Sequence, residues 1–471
     1  MGIHKKVESQ PENPFSGLVN KQTIVEIPEF VLESGEVLTN VPVAYKTWGQ
    51  LNKAGDNCMV ICHALTGSSD VSDWWGPLLG PGKAFDPTKF FVICLNSLGS
   101  PYGSASPVTN DPNTGQRYGP EFPLCTVRDD VRIHKLVLDD LGVKQLAVVI
   151  GGSMGGTLVL EWAFYKDYVK NIIPLATSAR HSAWCISWSE AQRQCIYSDP
   201  KYQDGYYPLN DPPTAGLSAA RMTALLTYRS RNSFESRFGR KDPSLVKGIQ
   251  NKVDKPSINR SPSTPQEEHW AIHNEGHRLG RKLQPNGLEK TGSSSQINSP
   301  RPRSESTDSN ASLASTASSV HKHQTYFSAQ SYLRYQGEKF ISRFDANCYI
   351  SITRKMDTND IAREREGDLE SLLESLTQPA LVIGISSDGL FTYSEQETLA
   401  RYMPNAKLER INSPEGHDAF LLEFAAINKL IIDFLKENCS EILNAPGIEW
   451  NENIEEVTES VFGEAEEVTN W

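Results

Sequence analysis

The chain has 471 residues, 38% of them hydrophobic, and a formal net charge of −12. This length suits one large catalytic core with additions, and so low an apolar share means that part of the chain builds no core. The acidic balance argues against a general nucleic-acid binder, and no run of about 18 apolar residues is present to span a membrane.

The stretch Met1 to Phe15 is polar and broken by Pro11 and Pro14. It lacks the apolar centre of a secretory signal, so cytoplasmic residence is the default expectation. Residues 1–20 read as a flexible N-terminus, and 21–182 as the first part of the core. Ile24 to Gly49 reads as two extended segments joined by the turn residues Glu33, Ser34, Gly35 and Glu36. Asn57–Leu65, Phe90–Leu95, Gln145–Ile150 and Ile172–Ala176 are apolar at nearly every position. Such runs are strands buried on both faces, the mark of a mostly parallel sheet between helices. Between them, Val131, His134, Val137 and Leu141 recur at helical spacing and Gly142 ends the pattern. Alternating strand and helix predicts a doubly wound α/β architecture.

The pattern breaks after Ser182. Residues 183–238 are rich in Trp, Tyr, Arg and Gln and read as a helical lid, with one helix over Leu217–Tyr228. Residues 239–325 are Ser-rich with few large apolar side chains. They bury too little surface to offset chain entropy and are expected to be disordered. The lid resumes over 326–365 and the core over 366–440, with strands at Pro379–Ile385 and Leu408–Ile411 and an amphipathic helix over Asp418–Lys436. Residues 441–471 form an acidic tail. Eight scattered cysteines without a CxxC pair read as free buried thiols, with no metal site.

The chemistry concentrates at Gly151-Gly152-Ser153-Met154-Gly155-Gly156, which follows the strand QLAVVI and opens the helical run TLVLEWAFY. This is a G-x-S-x-G nucleophile elbow in the context the motif requires, and it predicts an α/β-hydrolase fold. The serine needs a base, and the fold's chain order is serine, acid, histidine. Of the ten histidines, five fall in the expected disordered insertion and three precede Ser153. His181 comes too early in that order, which leaves His417, in a loop between a short strand and a helix. Asp388 lies just past the strand PALVIGI and suits the carboxylate that orients His417. Asp418 is a weaker rival, because a residue rarely bonds its neighbour's ring. The oxyanion hole is expected from the backbone N–H of Met154 and one from the loop after NCMVICHAL, at Leu65 or Thr66. That loop lacks the HGGG of many lipases.

Together these segments resemble the homoserine O-acyltransferase family. The resemblance rests on AYKTWGQLN (44–52), CHALTGSSD (62–70), DWWGPLLGPGKAFD (73–86), NSLGSPYGSASP (96–107), YGPEFPLCTVRDDVR (118–132), GGSMGG, GLSAARMTALLTYRS (216–230) and SPEGHDAFL (413–421). SARHSAWCISWSEAQRQ and the ending FGEAEEVTNW are similar to its fungal, acetyl-transferring members. The resemblance implies a ping-pong reaction in methionine biosynthesis that moves an acetyl group from acetyl-CoA, through Ser153, to the hydroxyl of L-homoserine. It implies that Arg221 binds the homoserine carboxylate, that Tyr228 shares that site and that Asp418 binds the amino group. It further implies no bound cofactor, and a homodimer, as in bacterial relatives. Other readings stay open: a relative that acylates serine or uses succinyl-CoA, an esterase that passes the acyl group to water, or an inactive scaffold.

Overall fold

The computed structural model describes residues 4–241, 264–274, 276–277 and 327–450. Among them, nine strands form one sheet in the order β1-β2-β3-β5-β4-β6-β7-β8-β9. They are β1 Lys5–Lys6, β2 Thr23–Val31, β3 Val37–Trp48, β4 Cys58–Cys62, β5 Phe91–Leu95, β6 Leu146–Gly152, β7 Ile172–Leu175, β8 Ala380–Ile385 and β9 Ala406–Ile411. The first three and β5 pair antiparallel, and from β5 through β9 every pairing is parallel.

The parallel half explains the unbroken apolar runs. Side chains alternate across a strand, so a strand covered on both faces needs apolar residues at odd and even positions alike. Val60, Ile93 and Val149 enter one core, whereas Met59, Val92, Val148 and Ile150 enter the other. Every residue of β4, β5, β6, β7 and β8 is buried. Burying one such side chain contributes about 1.5–3 kcal/mol, so this sheet is the rigid floor on which the site stands.

The flanking helices follow their sequence signals. α1 (Val127–Asp140) opens with a capping box, in which Thr126 accepts from the Asp129 amide and the Asp129 carboxylate accepts from the Thr126 amide. α2 (Met154–Trp162) is buried throughout and mostly apolar, and its one charged residue, Glu161, is paired with Arg128 and Arg365. The lid comprises α3 (Ala183–Tyr197), α4 (Thr214–Tyr228) and α5 (Arg231–Arg237), joined after the insertion by α6 (Ser328–Ile341) and α7 (Ala346–Asp357). α4 packs against both α3 and α6, so the two halves of the lid form one body. α8 (Tyr393–Tyr402) and α9 (Phe424–Asn438) complete the core. All eight cysteines are free, and only Cys195 is not fully buried.

Three expectations are adjusted. Residues 4–20, read as flexible, are tied down: the buried Gln10 donates to Gly103 O at 2.9 Å and the buried Asn13 to Pro101 O at 2.8 Å. These carboxamides satisfy loop carbonyls that would otherwise be buried unpaired. The helix expected over Asp418–Lys436 splits into a 3-10 turn, Gly416–Leu421, and α9. Within the stretch read as disordered, Pro265–His273 is a helix capped by Thr264, inside a separate compact unit. The rest of that expectation, and the tail from residue 451 on, lie outside the described residues. Among the described residues no helix is long and apolar enough to cross a membrane.

Candidate active site

Ser153 stands between the end of β6 and the start of α2 with φ 59° and ψ −125°. A non-glycine residue rarely adopts positive φ, and such strain persists only where the surroundings impose it. Here they do. Ser153 N donates to Leu175 O at 3.0 Å, and Thr177 Oγ1 donates to Ser153 O at 2.8 Å. The glycines permit the turn by omission. A Cβ at Gly155 would lie 2.1 Å from the carbonyl oxygen of Cys62, and one at Gly151 would lie 2.5 Å from that of Gly155. The first turn of α2 can therefore press against the end of β4 only without side chains at these positions.

His417 arrives from 264 positions further along the chain, on the 3-10 turn after β9. Its Nε2 is 2.8 Å from Ser153 Oγ, and its Nδ1 is 2.7 Å from Asp388 Oδ2. A carboxylate only accepts, so Nδ1 carries the proton and Nε2 is left to accept from the serine hydroxyl. Asp388 is itself held, since its Oδ1 accepts from the amides of Leu390 at 2.8 Å and Phe391 at 2.9 Å. Ser387 ties the two loops together: it donates to Ser413 O at 2.6 Å and accepts from Gly416 N at 2.9 Å. The imidazole is packed by Phe420, Phe391 and Tyr228, at ring-centroid distances of 5.2, 5.3 and 6.0 Å. Burial alone would push its pKa down. The charge and hydrogen bond of Asp388, helped by Asp418 and Glu395, outweigh that and hold it above the ordinary imidazole value.

Ser153, Met154 and Leu65 sit on the wall of a cleft of about 440 Å³, which opens between the sheet and the lid. Leu65 borders it and Thr66 does not. The Leu65–Thr66 loop is fixed on both sides. Arg343 Nη1 donates to Thr66 O at 3.1 Å, and His63 accepts from Ser97 N at 3.0 Å while facing Ala64 O at 2.8 Å. Burial pushes His63 down to about 4, so it serves as a neutral strut.

The three remaining expected site residues are drawn together but placed at different depths. Tyr228, at the end of α4, lines the cleft. Arg221, two turns earlier, is 1% exposed, with its guanidinium 5.7 Å from the Tyr228 ring and 4.9 Å from that of Phe340. Burial, followed by the charge of Arg343, lowers its pKa. Asp418 is buried with its Oδ2 3.5 Å from Arg229 Nε, and burial raises its pKa despite Arg229. Among the described residues no cluster of three or more His, Cys, Asp or Glu is arranged to hold a metal ion.

Sequence reasoning missed the apolar clamp of Phe391 and Phe420, and also His181. That histidine is ruled out as the base by chain order. It borders the cleft, 5.8 Å from the Phe391 ring, and burial together with Arg193 pushes it down to about 4. Arg229 and Glu415 were passed over too. Arg229 adjoins Tyr228 in TYRS and Glu415 lies two residues before His417 in PEGHD, and an arginine beside an expected ligand at the end of a mostly apolar helix is a signal of burial with a partner.

With this geometry in view, residues 57–424 match the profile of the alpha/beta hydrolase fold family. The homoserine O-acetyltransferase of Saccharomyces pastorianus is 62% identical over 468 residues, covering 98% of this chain and 96% of that protein. The chain belongs to the homoserine O-acetyltransferase family. The family is one of acyltransferases, and membership agrees with the motifs from which the resemblance was drawn. Solved structures are more distant. Homoserine O-acetyltransferase from Bacillus anthracis is 20% identical with a TM-score of 0.65, covering 91% of this chain and 99% of that one. An acetylester hydrolase from Corynebacterium glutamicum is 20% identical with a TM-score of 0.66, covering 90% and 99%. At this distance both likenesses speak for the fold alone, and the fold is shared between transfer to an amino acid and transfer to water.

Proposed function

We propose that the chain transfers the acetyl group of acetyl-CoA to the hydroxyl of L-homoserine, giving O-acetyl-L-homoserine and CoA, as a step of methionine biosynthesis. The observation that carries this reading is the hydrogen-bonded chain Ser153–His417–Asp388 at a cleft, in a chain 62% identical to a protein of that name. In the first half-reaction His417 Nε2 takes the Ser153 proton as Oγ attacks the thioester carbonyl. The amides of Met154 and Leu65 stabilise the oxyanion, helped by the positive end of α2. Collapse expels the CoA thiolate, which is protonated from His417, and leaves acetyl-Ser153. In the second, His417 deprotonates the homoserine hydroxyl, the new oxyanion forms in the same place, and the ester departs with Ser153 restored. Asp388 keeps Nδ1 protonated and steadies the imidazolium in both halves.

Acceptor choice is assigned to Arg221, Tyr228 and Asp418. A guanidinium suits the two oxygens of a carboxylate, and Asp418 suits an ammonium. Neither group suits a fatty or simple ester acceptor. The test is mass spectrometry after exposure to acetyl-CoA alone, with Ser153 as the expected site of one acetyl adduct that homoserine then discharges. CoA release that homoserine fails to accelerate would instead mark a hydrolase. Side-by-side kcat/KM values for homoserine and serine, and for acetyl-CoA and succinyl-CoA, decide among the sister reactions. One methylene is worth only about 1–3 kcal/mol in such a pocket.

A further inference from the structure

The loop that carries His417 is fastened to the lid by charge. Glu415 and Asp418 flank His417, and both face Arg229, whose side chain is 1% exposed. Arg229 Nη1 donates to Glu415 Oε2 at 2.6 Å, and Arg229 Nε lies 3.5 Å from Asp418 Oδ2. Two further lid residues close on the same carboxylate: Ser233 Oγ at 2.7 Å from Oε2 and Arg237 Nη2 at 2.9 Å from Oε1. Ser230 Oγ donates to the carbonyl of Pro414. The backbones interlock as well. Gly416 has φ 74°, and a Cβ there would lie 2.5 Å from Ser230 N. Burial works against the charge of Glu415, yet the hydrogen bonds from Arg237 and Ser233 and the charges of Arg229 and Arg237 keep its pKa below the ordinary value.

Nothing in the triad chemistry needs Arg229. The site does need the imidazole held to within about half an ångström of Ser153, because catalytic groups lose efficiency steeply with misplacement. The core side supplies part of that restraint, through Asp388 on the ring, Ser387 on the loop and Trp75 Nε1, which donates to Phe420 O at 2.9 Å. The lid side supplies the rest, from the residue next to Tyr228. We infer that Arg229, paired with Glu415, is a positioning residue for His417, so that one lid segment both presents the acceptor-binding side chains and sets the base. This rests on the acyl-serine reading above.

The two roles separate by half-reaction. His417 works in both halves, whereas an acceptor-binding residue works only in the second. Arg229→Gln is therefore expected to slow acetyl-Ser153 formation from acetyl-CoA alone by roughly 10- to 100-fold at saturating donor, with little change in the donor concentration giving half-maximal rate. Arg229→Lys, which keeps a charge but loses the fork, should recover part of that rate. Glu415→Gln is the milder companion, because it removes the partner without stranding a carboxylate. It should slow the same step in protein whose circular dichroism matches the parent and whose unfolding midpoint, though lowered, stays well above the assay temperature. Lys5→Gln, in an exposed pair with Glu26 on the first strand, is the contrasting control and should leave acetyl-Ser153 formation unchanged. If Glu415→Gln and Arg229→Lys both form acetyl-Ser153 at the parental rate, the inference is wrong. If the unaltered enzyme forms no acetyl-Ser153 at all, the proposed function fails instead, and the two failures are told apart.

Discussion

Replacing Asp388 by Asn tests the site most directly, because the structure dictates what the amide must do. Asp388 Oδ1 accepts from two backbone amides, Leu390 at 2.8 Å and Phe391 at 2.9 Å. An Asn side chain therefore keeps its oxygen there, since turning its NH2 toward two N–H donors would leave three donors facing one another. The NH2 then occupies the place of Oδ2, 2.7 Å from His417 Nδ1. It offers a proton where the imidazole also offers one, so the ring must take the other tautomer. Nε2 then carries the hydrogen and cannot accept from Ser153 Oγ. Shape and volume hardly change, yet the base is disabled. In serine–histidine–aspartate systems this swap costs about 10,000-fold in rate, or about 5 kcal/mol of barrier. The assay is the rate of CoA release in the first turnover with acetyl-CoA alone, read alongside the acetyl adduct on Ser153. The pH profile adds a signed check. The base must be neutral, so acetylation falls as pH drops through the His417 pKa. Burial lowers that pKa, but Asp388 above all raises it beyond the ordinary imidazole value. Without the carboxylate charge it falls, and the residual activity should persist to lower pH than in the parent. A variant within tenfold of the parental rate, or one whose acid limb moves to higher pH, would refute the assignment of Asp388.

Three further outcomes follow from the geometry. Gly155→Ala places a Cβ 2.1 Å from the Cys62 carbonyl oxygen, a backbone atom with no room to yield. It should cost about 3 kcal/mol or more in urea unfolding, whereas Gly35→Ala meets nothing within 4 Å and should cost only the strain of its φ of 87°, about 1 kcal/mol. Lys355→Met leaves Asp130 buried without the ammonium now 2.5 Å away, and should lower stability by about 3–5 kcal/mol in the same assay. Asp130 Oδ1 also accepts from Leu98 N at 2.9 Å, so the loop carrying Leu98 should gain proteolytic sensitivity. Arg221→Lys should raise the homoserine KM by roughly 10-fold or more, because a point charge loses the fork that matches a carboxylate, while the first half-reaction is unaffected.

Much of this protein is legible before any coordinates. Strands buried on both faces demand apolar residues throughout, and β4, β5, β6 and β8 therefore announce themselves as short unbroken runs. The elbow is equally plain, because only glycine fits at 151 and 155 and the restriction is written into composition. His417 and Asp388 follow from chain order once the elbow is found.

Sequence by itself thus determined the sheet and the elbow that holds Ser153, the proposed nucleophile, and pointed to His417 and Asp388 as its proposed base and acid, since each reading depends on a local pattern or on a rule of connectivity. Only the tertiary structure decided what surrounds them. Phe391 and Phe420 clamp the imidazole, Arg229 reaches Glu415 across 186 positions, and Arg343 returns from beyond the insertion to hold the Leu65–Thr66 loop. These contacts join residues with no shared period or spacing. Their partners are set by how the lid packs on the sheet, and a buried charge in a linear chain carries no mark of which opposite charge will meet it.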